Sequence, residues 1–323
     1  MKNKGLTQRG PNSGLSCLTR RELLGTLSAL TALPLLAGST ASETILDIHQ
    51  HTNYVVQGSR RRSDQELVAH QAYHRVTTTI LQGGAGWLLS EIGDNGSCAA
   101  LEEDYPGLFV RFAGTDPAES LALDVLRGNI KRGAIGFGEL KFPVAIDSPE
   151  MHRIYKLAEE LRVPLLMHFQ FETYNTGLER FGAILKAYPN VNFIGHAQTW
   201  WGNISAELDP LDLYPKGPVR PGGLIDRLLA DYPNIFGDLS ANSGLNAITR
   251  DPEFARGFIE RHSHKLLWGS DCNCVDGKGG GVSDGYCIAG RSLAALNKLV
   301  ASEAVFRRIV YENAAALLRL DRK

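Results

Sequence analysis

The residues with the most chemistry in this chain stand at the ends of short apolar runs. "ILDIHQH" (45–51) closes on His49 and His51, two positions apart. Side chains alternate faces along a strand, so these two imidazoles point the same way. "GFGEL" (136–140) carries Glu139, "LLMHF" (165–169) His168, "FIGHA" (193–197) His196 and "LLWGSD" (266–271) Asp271. A lone histidine at a strand end is usually just a satisfied polar residue. A repeated placement at the ends of separate runs suggests convergence on one point. Neutral imidazole nitrogens with carboxylate oxygens suit zinc, and also manganese, iron or nickel. A metal with an open position lowers the pKa of a bound water towards roughly 7. A neighbouring carboxylate can take the proton and later pass it to a leaving group.

These groups can converge only if their runs are strands of one sheet system. Eight stretches have the β-branched and aromatic content of buried parallel strands: 44–49, 76–83, 108–114, 134–140, 163–169, 191–197, 234–240 and 265–271. Helical patterns lie between them. In "SPEMHRIYKLAEELR" (148–162), Ser148 suits an N-cap and Pro149 the first helical position. Apolar residues at 151, 154, 157, 158 and 161 share one face of that helix. "YPG" (105–107) and "YPN" (188–190 and 232–234) each stop a helix before a strand, because proline cannot continue it. This alternation predicts an α/β fold of the (β/α)8, TIM-type barrel class, in which the C-terminal strand ends meet at one mouth. A doubly wound open sheet is the runner-up; no glycine-rich phosphate fingerprint follows the first strand.

Together, "DIHQH", "GFGEL", "LLMHF", "FIGHA" and "LLWGSD" resemble the amidohydrolase superfamily, and the ending "IVYENAAALLRL" (309–320) resembles the C-terminal helix of its amidohydrolase-2 branch. The resemblance spans residues 43–323 and implies a metal-dependent hydrolase or, in some branches, a nonoxidative decarboxylase. It implies that His49, His51 and Asp271 hold one divalent metal, most simply zinc, with one or two ions in all. His168 would be a further ligand, or would share a second ion with His196. Glu139 resembles the bridging or second-site glutamate of TatD-like hydrolases, where other branches use a carbamylated lysine or nothing; Lys141 lies two residues on. Without Glu139 the site is mononuclear, and His196 becomes an acid/base or oxyanion-stabilising residue. Asp271 is the expected proton shuttle.

Residues 1–42 read as a twin-arginine signal: a basic leader, Arg20–Arg21, an apolar run from Leu23 to about Gly38, and small residues up to Ala41. This predicts delivery by the twin-arginine export machinery to the periplasm or outside, or tethering to the membrane if the signal stays uncleaved. The rest, 43–323, reads as a single domain. A net charge of −1 gives no bulk attraction to nucleic acid, which argues against a polyanion substrate and for a small molecule. Barrels of the resembled family often pair, which leaves a homo-oligomer open. The expected reaction is water attack on an amide, lactone or ester. Decarboxylation of an aromatic or enoic acid is the enzymatic alternative, and a non-catalytic metal-binding barrel the other.

Several motifs compete for attention. His70 and His74 have the i, i+4 spacing of a helical zinc pair but lack the metalloprotease glutamate, so a surface helix is expected. Cys272, Cys274 and Cys287 cluster, and a loop-stapling disulfide or free thiols are expected ahead of a metal site. His262 and His264 are expected to be structural, and His152 to face solvent. The long segment 197–221 offers Trp200, Trp201 and Tyr214 as an apolar wall over the mouth, with Lys216 or Arg220 for an acidic substrate. Packing against a second subunit competes equally with that reading. Ser240 or Asn242 could supply hydrogen bonds from the end of the seventh strand, and Arg60–Arg61–Arg62 is expected to be a solvated charge run.

Overall fold

The eight predicted runs all become strands in the computed structural model, which describes residues 44–320. The proposed signal, with Cys17, lies outside the described residues. The strands are β1 (Ile45–Gln50), β2 (Val76–Leu81), β3 (Phe109–Arg111), β4 (Phe137–Leu140), β5 (Leu165–His168), β6 (Phe193–His196), β7 (Ile235–Asp238) and β8 (Leu266–Leu267). β1 keeps the length of its run, shifted by one residue, and the others are shorter because flanking residues leave the ladder for the turns.

All ladders between these strands are parallel, in the orders β1-β2-β3 and β4-β5-β6-β7-β8. Single contacts span the two seams. A bridge joins Ala113 to Phe137 between β3 and β4. Between β8 and β1, Ile48 N donates to the Trp268 carbonyl at 3.2 Å and Asp271 N to the His49 carbonyl at 2.8 Å. The fold is therefore the expected (β/α)8 class in strand number, order and direction, but its ladder is two sheets, not one unbroken ring.

Helices fill the connections. The helix α1 (Asp64–Tyr73) starts with a capping box between Ser63 and Glu66. Before β5, a helix runs over Pro149–Leu161; Ser148 accepts from Met151 N at 3.3 Å, and Met151, Ile154, Tyr155, Leu157 and Ala158 are buried. Along β5 the alternation divides the core. Leu166 joins Leu46, Ile48, Ile80, Phe112, Ile194 and Leu267 in an inner cluster, closed by Ala314, Ala315 and Leu318 of the C-terminal helix. Leu165 and Met167 pack outward with the helices.

The segment 197–221 does not build a wall over the mouth. Trp200 and Trp201 sit on a short helix, Gln198–Gly202, and are buried in the core. Trp200 stacks on Phe169 with ring centroids 5.6 Å apart, and Trp201 Nε1 donates to the Asp238 carbonyl at 2.8 Å. The helix begins directly after His196, and that turn carries both indoles inward. Tyr214 is exposed and accepts from Gln198 Nε2; Lys216 is exposed, and Arg220 pairs with Glu207 at 3.5 Å on the surface.

Candidate metal centre

β1 brings the Nε2 atoms of His49 and His51 to 3.2 Å from each other. Both rings are fixed from behind. His51 Nδ1 lies 3.1 Å from the Gln82 carbonyl. A carbonyl only accepts, so the proton sits on Nδ1 and Nε2 presents a lone pair. His49 Nδ1 donates to Asp238 Oδ2 at 2.7 Å, with the same result. Ser240 Oγ donates to that oxygen at 2.8 Å and accepts from His196 Nδ1 at 3.0 Å. Three imidazoles thus have Nδ1 occupied and Nε2 bare.

The carboxylates meet those bare nitrogens. Asp271 Oδ1 lies 3.5 Å from His51 Nε2 and Oδ2 lies 3.7 Å from His196 Nε2. Tyr54 OH donates to Oδ1 at 3.0 Å. Glu139 Oε2 is 3.7 Å from His51 Nε2 and 3.9 Å from His49 Nε2, and its Oε1 is 3.8 Å from His196 Nε2. Ligand atoms of His49, His51 and Asp271 fall within 4.8 Å of one another, as do those of His49, Glu139 and His196. His168 stands at the side. Its Nδ1 is 2.6 Å from Glu139 Oε1 and its Nε2 3.4 Å from Gln170 Oε1, so it orients the glutamate. The structure therefore brings five of the six sequence candidates together and sets His168 behind one of them.

Electrostatics suit a cation. Glu139 and Asp238 are buried and Asp271 is half-buried, and among the described residues no lysine or arginine forms an ion pair with any of them. Burial works against charge on His49, but Asp271, the hydrogen bond to Asp238 and Glu139 raise its pKa to about 10, so these acids draw positive charge to the ring and a bound ion would take the place of a proton on Nε2. Burial lowers His196 to about 4. Against burial, His49 and His51 hold Asp271 below the usual carboxylate range, and His168 does so for Glu139. Ionised oxygens plus bare imidazole nitrogens, each held by an outer hydrogen bond, are a donor set that fits a divalent ion.

Asp238 is the functional residue that sequence reasoning missed. Its signal was available, as an acid at the C-terminal end of a strand-like run. Ser240, in contrast, was expected to supply hydrogen bonds. Asn242 instead accepts from Tyr286 OH. Lys141 lies over Trp87 and Tyr174, 5.3 and 5.7 Å from their ring centroids, and those rings stack at 5.1 Å. A cavity of about 990 Å³ opens away from this chemistry, at the strand N-termini around Pro164, Asn192 and Phe236.

Three other expectations need correction, while His262 is structural as expected. His70 is fully buried against three cysteines, not on a surface face. Arg62 is buried, while Arg60 and Arg61 are exposed as expected. His152 is half-buried, with Nδ1 2.7 Å from Tyr188 OH. His262 is buried against Asp226 and His264 is exposed.

Fold and site together define a parallel (β/α)8 barrel with an imidazole–carboxylate cluster where its strand ends converge. Residues 46–320 match the family model described as "Amidohydrolase", the amidohydrolase-2 family, and the chain belongs to that family. Its members are enzymes, hydrolases and decarboxylases among them. No curated protein matches in sequence. Solved structures do. A probable 2-pyrone-4,6-dicarboxylic acid hydrolase from Acinetobacter baumannii, with citric acid bound, is similar with TM-score 0.58 and 14% identity, over 85% of this chain and 99% of that one. An uncharacterised TIM-barrel protein from Bordetella bronchiseptica gives 0.61 at 13% identity, over 87% and 100%. A dihydroxybenzoic acid decarboxylase from Polaromonas sp. JS666, with manganese and 2-nitroresorcinol bound, gives 0.53 at 16%, over 87% and 98%. At such identities the likeness bears on the fold.

Proposed function

We propose that this protein is a metal-dependent hydrolase of a small-molecule lactone, ester or amide. The carrying observation is the ring of bare Nε2 atoms from His49, His51 and His196 facing Glu139 and Asp271. These five residues would hold the ion, zinc in the first instance and manganese in the second. When bound, such an ion polarises a carbonyl and acidifies a water.

The chain's own residues do the rest. Asp271 is held ionised, so it can accept a proton; Tyr54 occupies Oδ1 and leaves Oδ2 for the transfer. His196 offers a lone pair, which favours a ligand role over donation to an oxyanion. His168 keeps Glu139 turned to the centre. Lys141, on its aromatic shelf two residues beyond Glu139, can hold a carboxylate of the substrate. Glu139 within 4 Å of the His49, His51 and His196 Nε2 atoms, with no arginine pairing in the cluster among the described residues, supports hydrolysis over decarboxylation.

Decarboxylation of an aromatic acid remains the second reading, favoured by the decarboxylases among the structural relatives. A panel of lactones, esters and amides followed by acid release, beside hydroxybenzoates followed by CO2 release, separates the two. Acid release that falls about 10³-fold in Asp271→Asn supports the proposal. CO2 release without hydrolysis would replace it with the second reading. Residues 1–42 are proposed as a twin-arginine signal, so that the barrel folds before it is exported; accumulation in the cytoplasm of an Arg20→Lys, Arg21→Lys variant would support this.

A further inference from the structure

A second group of metal-competent side chains lies outside the centre described above. α1 carries His70 into the interior, and the loop after β8 supplies Cys272, Cys274 and Cys287. All four are buried, and their ligand atoms lie within 4.8 Å of one another. Cys272 Sγ and Cys287 Sγ are 3.6 Å apart, and Cys287 Sγ is 3.4 Å from His70 Nε2. The thiols are free, and that sulfur separation is well beyond the roughly 2.05 Å of a disulfide. A tetrahedral ion with metal–sulfur bonds of about 2.3 Å and a metal–nitrogen bond of about 2.0 Å sets sulfurs about 3.8 Å apart. The same geometry places sulfur and nitrogen about 3.5 Å apart. The observed spacings match this shell within a few tenths of an ångström.

Three neighbours complete the argument. His70 Nδ1 donates to Gln71 Oε1 at 2.9 Å, which leaves Nε2 bare towards the sulfurs. Gln71 is itself fixed, since its Nε2 donates to Asp47 at 3.0 Å and to Thr79 at 2.7 Å. This outer hydrogen bond sets the tautomer a metal needs. Arg62 is 1% exposed, and among the described residues no carboxylate lies within ion-pair distance of it. Its Nη1 donates to the carbonyls of Cys272 at 2.6 Å and Cys274 at 3.3 Å. A buried guanidinium needs a counter-charge. Three thiolates and a neutral imidazole around a divalent ion carry one net negative charge beside it. His74 Nε2, 3.2 Å from Cys287 Sγ, stands where an N–H donor to a thiolate belongs.

We propose that His70, Cys272, Cys274 and Cys287 form a closed Cys3His zinc site that clasps the loop after β8 to α1. With four protein ligands and no open position, the site is structural. None of its ligands belongs to the imidazole–carboxylate cluster, so the proposal stands or falls separately from the proposed reaction.

The test uses the full chain, produced once in zinc-replete medium and once in cobalt-supplemented minimal medium, and purified without chelator. Thiolate-to-cobalt charge-transfer absorption reports this site alone, because the other centre offers only nitrogen and oxygen donors. The band is expected in the wild type and in His49→Ala, and absent in Cys274→Ser. If Cys274→Ser fails to fold, the wild-type zinc protein still decides. Titration of its thiols with p-hydroxymercuribenzoate is expected to release one zinc per chain to a chromophoric chelator. Three outcomes would overturn the proposal: no charge-transfer band, thiols that react without releasing zinc, or a denatured thiol count two short, which would mean a disulfide.

Discussion

Asp238→Asn tests whether the outer hydrogen bonds set the chemistry of the proposed metal centre. Asp238 Oδ2 accepts from His49 Nδ1 at 2.7 Å and from Ser240 Oγ at 2.8 Å, and the residue is fully buried. Asparagine keeps the shape. With its oxygen in the Oδ2 position the amide keeps both of these bonds, but its NH2 group then stands against the Ser240 N–H, which donates to Asp238 Oδ1 at 3.0 Å. Turned over, which restores an acceptor to Ser240 N, the amide sets its NH2 group against both His49 Nδ1 and Ser240 Oγ. Ser240 Oγ then accepts from the amide and turns its proton to His196 Nδ1, 3.0 Å away, which moves the His196 proton onto Nε2 and removes a lone pair from the centre, while His49 loses its acceptor. The change therefore acts on two imidazoles. Loss of an outer partner costs about 10- to 100-fold in metal affinity, and the double effect places this variant at the upper end, near 100-fold. A hydrogen bond to a charged group is worth about 1.5–3 kcal/mol, which agrees with that range. Asp238→Ala should do worse, because it leaves three buried donors, His49 Nδ1, Ser240 Oγ and Ser240 N, without this acceptor and lowers folding stability as well. Competition with a chromophoric chelator, on protein whose far-UV circular dichroism matches the wild type, measures the effect. An Asp238→Asn affinity within threefold of the wild type would refute the reasoning.

Asp251 caps the helix Pro252–His262, accepting from Phe254 N at 3.1 Å and from Val219 N at 2.9 Å, so Asp251→Ala should lower stability by about 1–2 kcal/mol in urea unfolding. The Val219 and Phe254 amides hold its carboxyl below the ordinary value, so the contribution is complete above the unfolded pKa of about 3.9 and fades as pH falls through the folded one; the gap between variant and wild type should shrink below about pH 4. Trp200→Ala should cost about 3–5 kcal/mol with KM unchanged, since this indole fills the core, and a raised KM at equal stability would return it to the mouth. Lys141→Met should raise KM for a carboxylated substrate about tenfold while kcat holds, and an unchanged KM would remove Lys141 from substrate binding.

The barrel was legible because its signals are local. A buried strand such as "VPLLMHF" needs only a few apolar residues, and each Tyr-Pro announces the helix end before it. The polar ends of those strands converge by topology, which is why His49, His51, Glu139, His196 and Asp271 could be assembled on paper. His168 could not be placed so well, because strand position says nothing of which ring nitrogen faces the centre. Two larger misreadings have one cause. Trp200 and Arg62 were judged by sequence neighbours, a ligand in one case and other arginines in the other, whereas helix phase and three-dimensional packing decide their burial. His70 lies more than 200 residues from Cys272, so no spacing rule could have joined them.

The two sites share a short piece of backbone, and that sharing gives the second one a reason to exist. Asp271 adopts φ 41°, a left-handed conformation that costs a non-glycine residue about 1–3 kcal/mol and persists only where the surroundings impose it. On its N-terminal side, Ser270 is tied through both N and Oγ to Asp47, and Asp271 N itself donates to the His49 carbonyl at 2.8 Å. On its C-terminal side the fastening is the Cys272 carbonyl, which accepts from Gln50 Nε2 at 2.9 Å and from Arg62. Arg62 is buried there, and the proposed thiolate cluster would supply it with a negative partner. Zinc at the cysteines would thus hold the guanidinium, the guanidinium the carbonyl, and the carbonyl the strained residue whose carboxylate serves the centre.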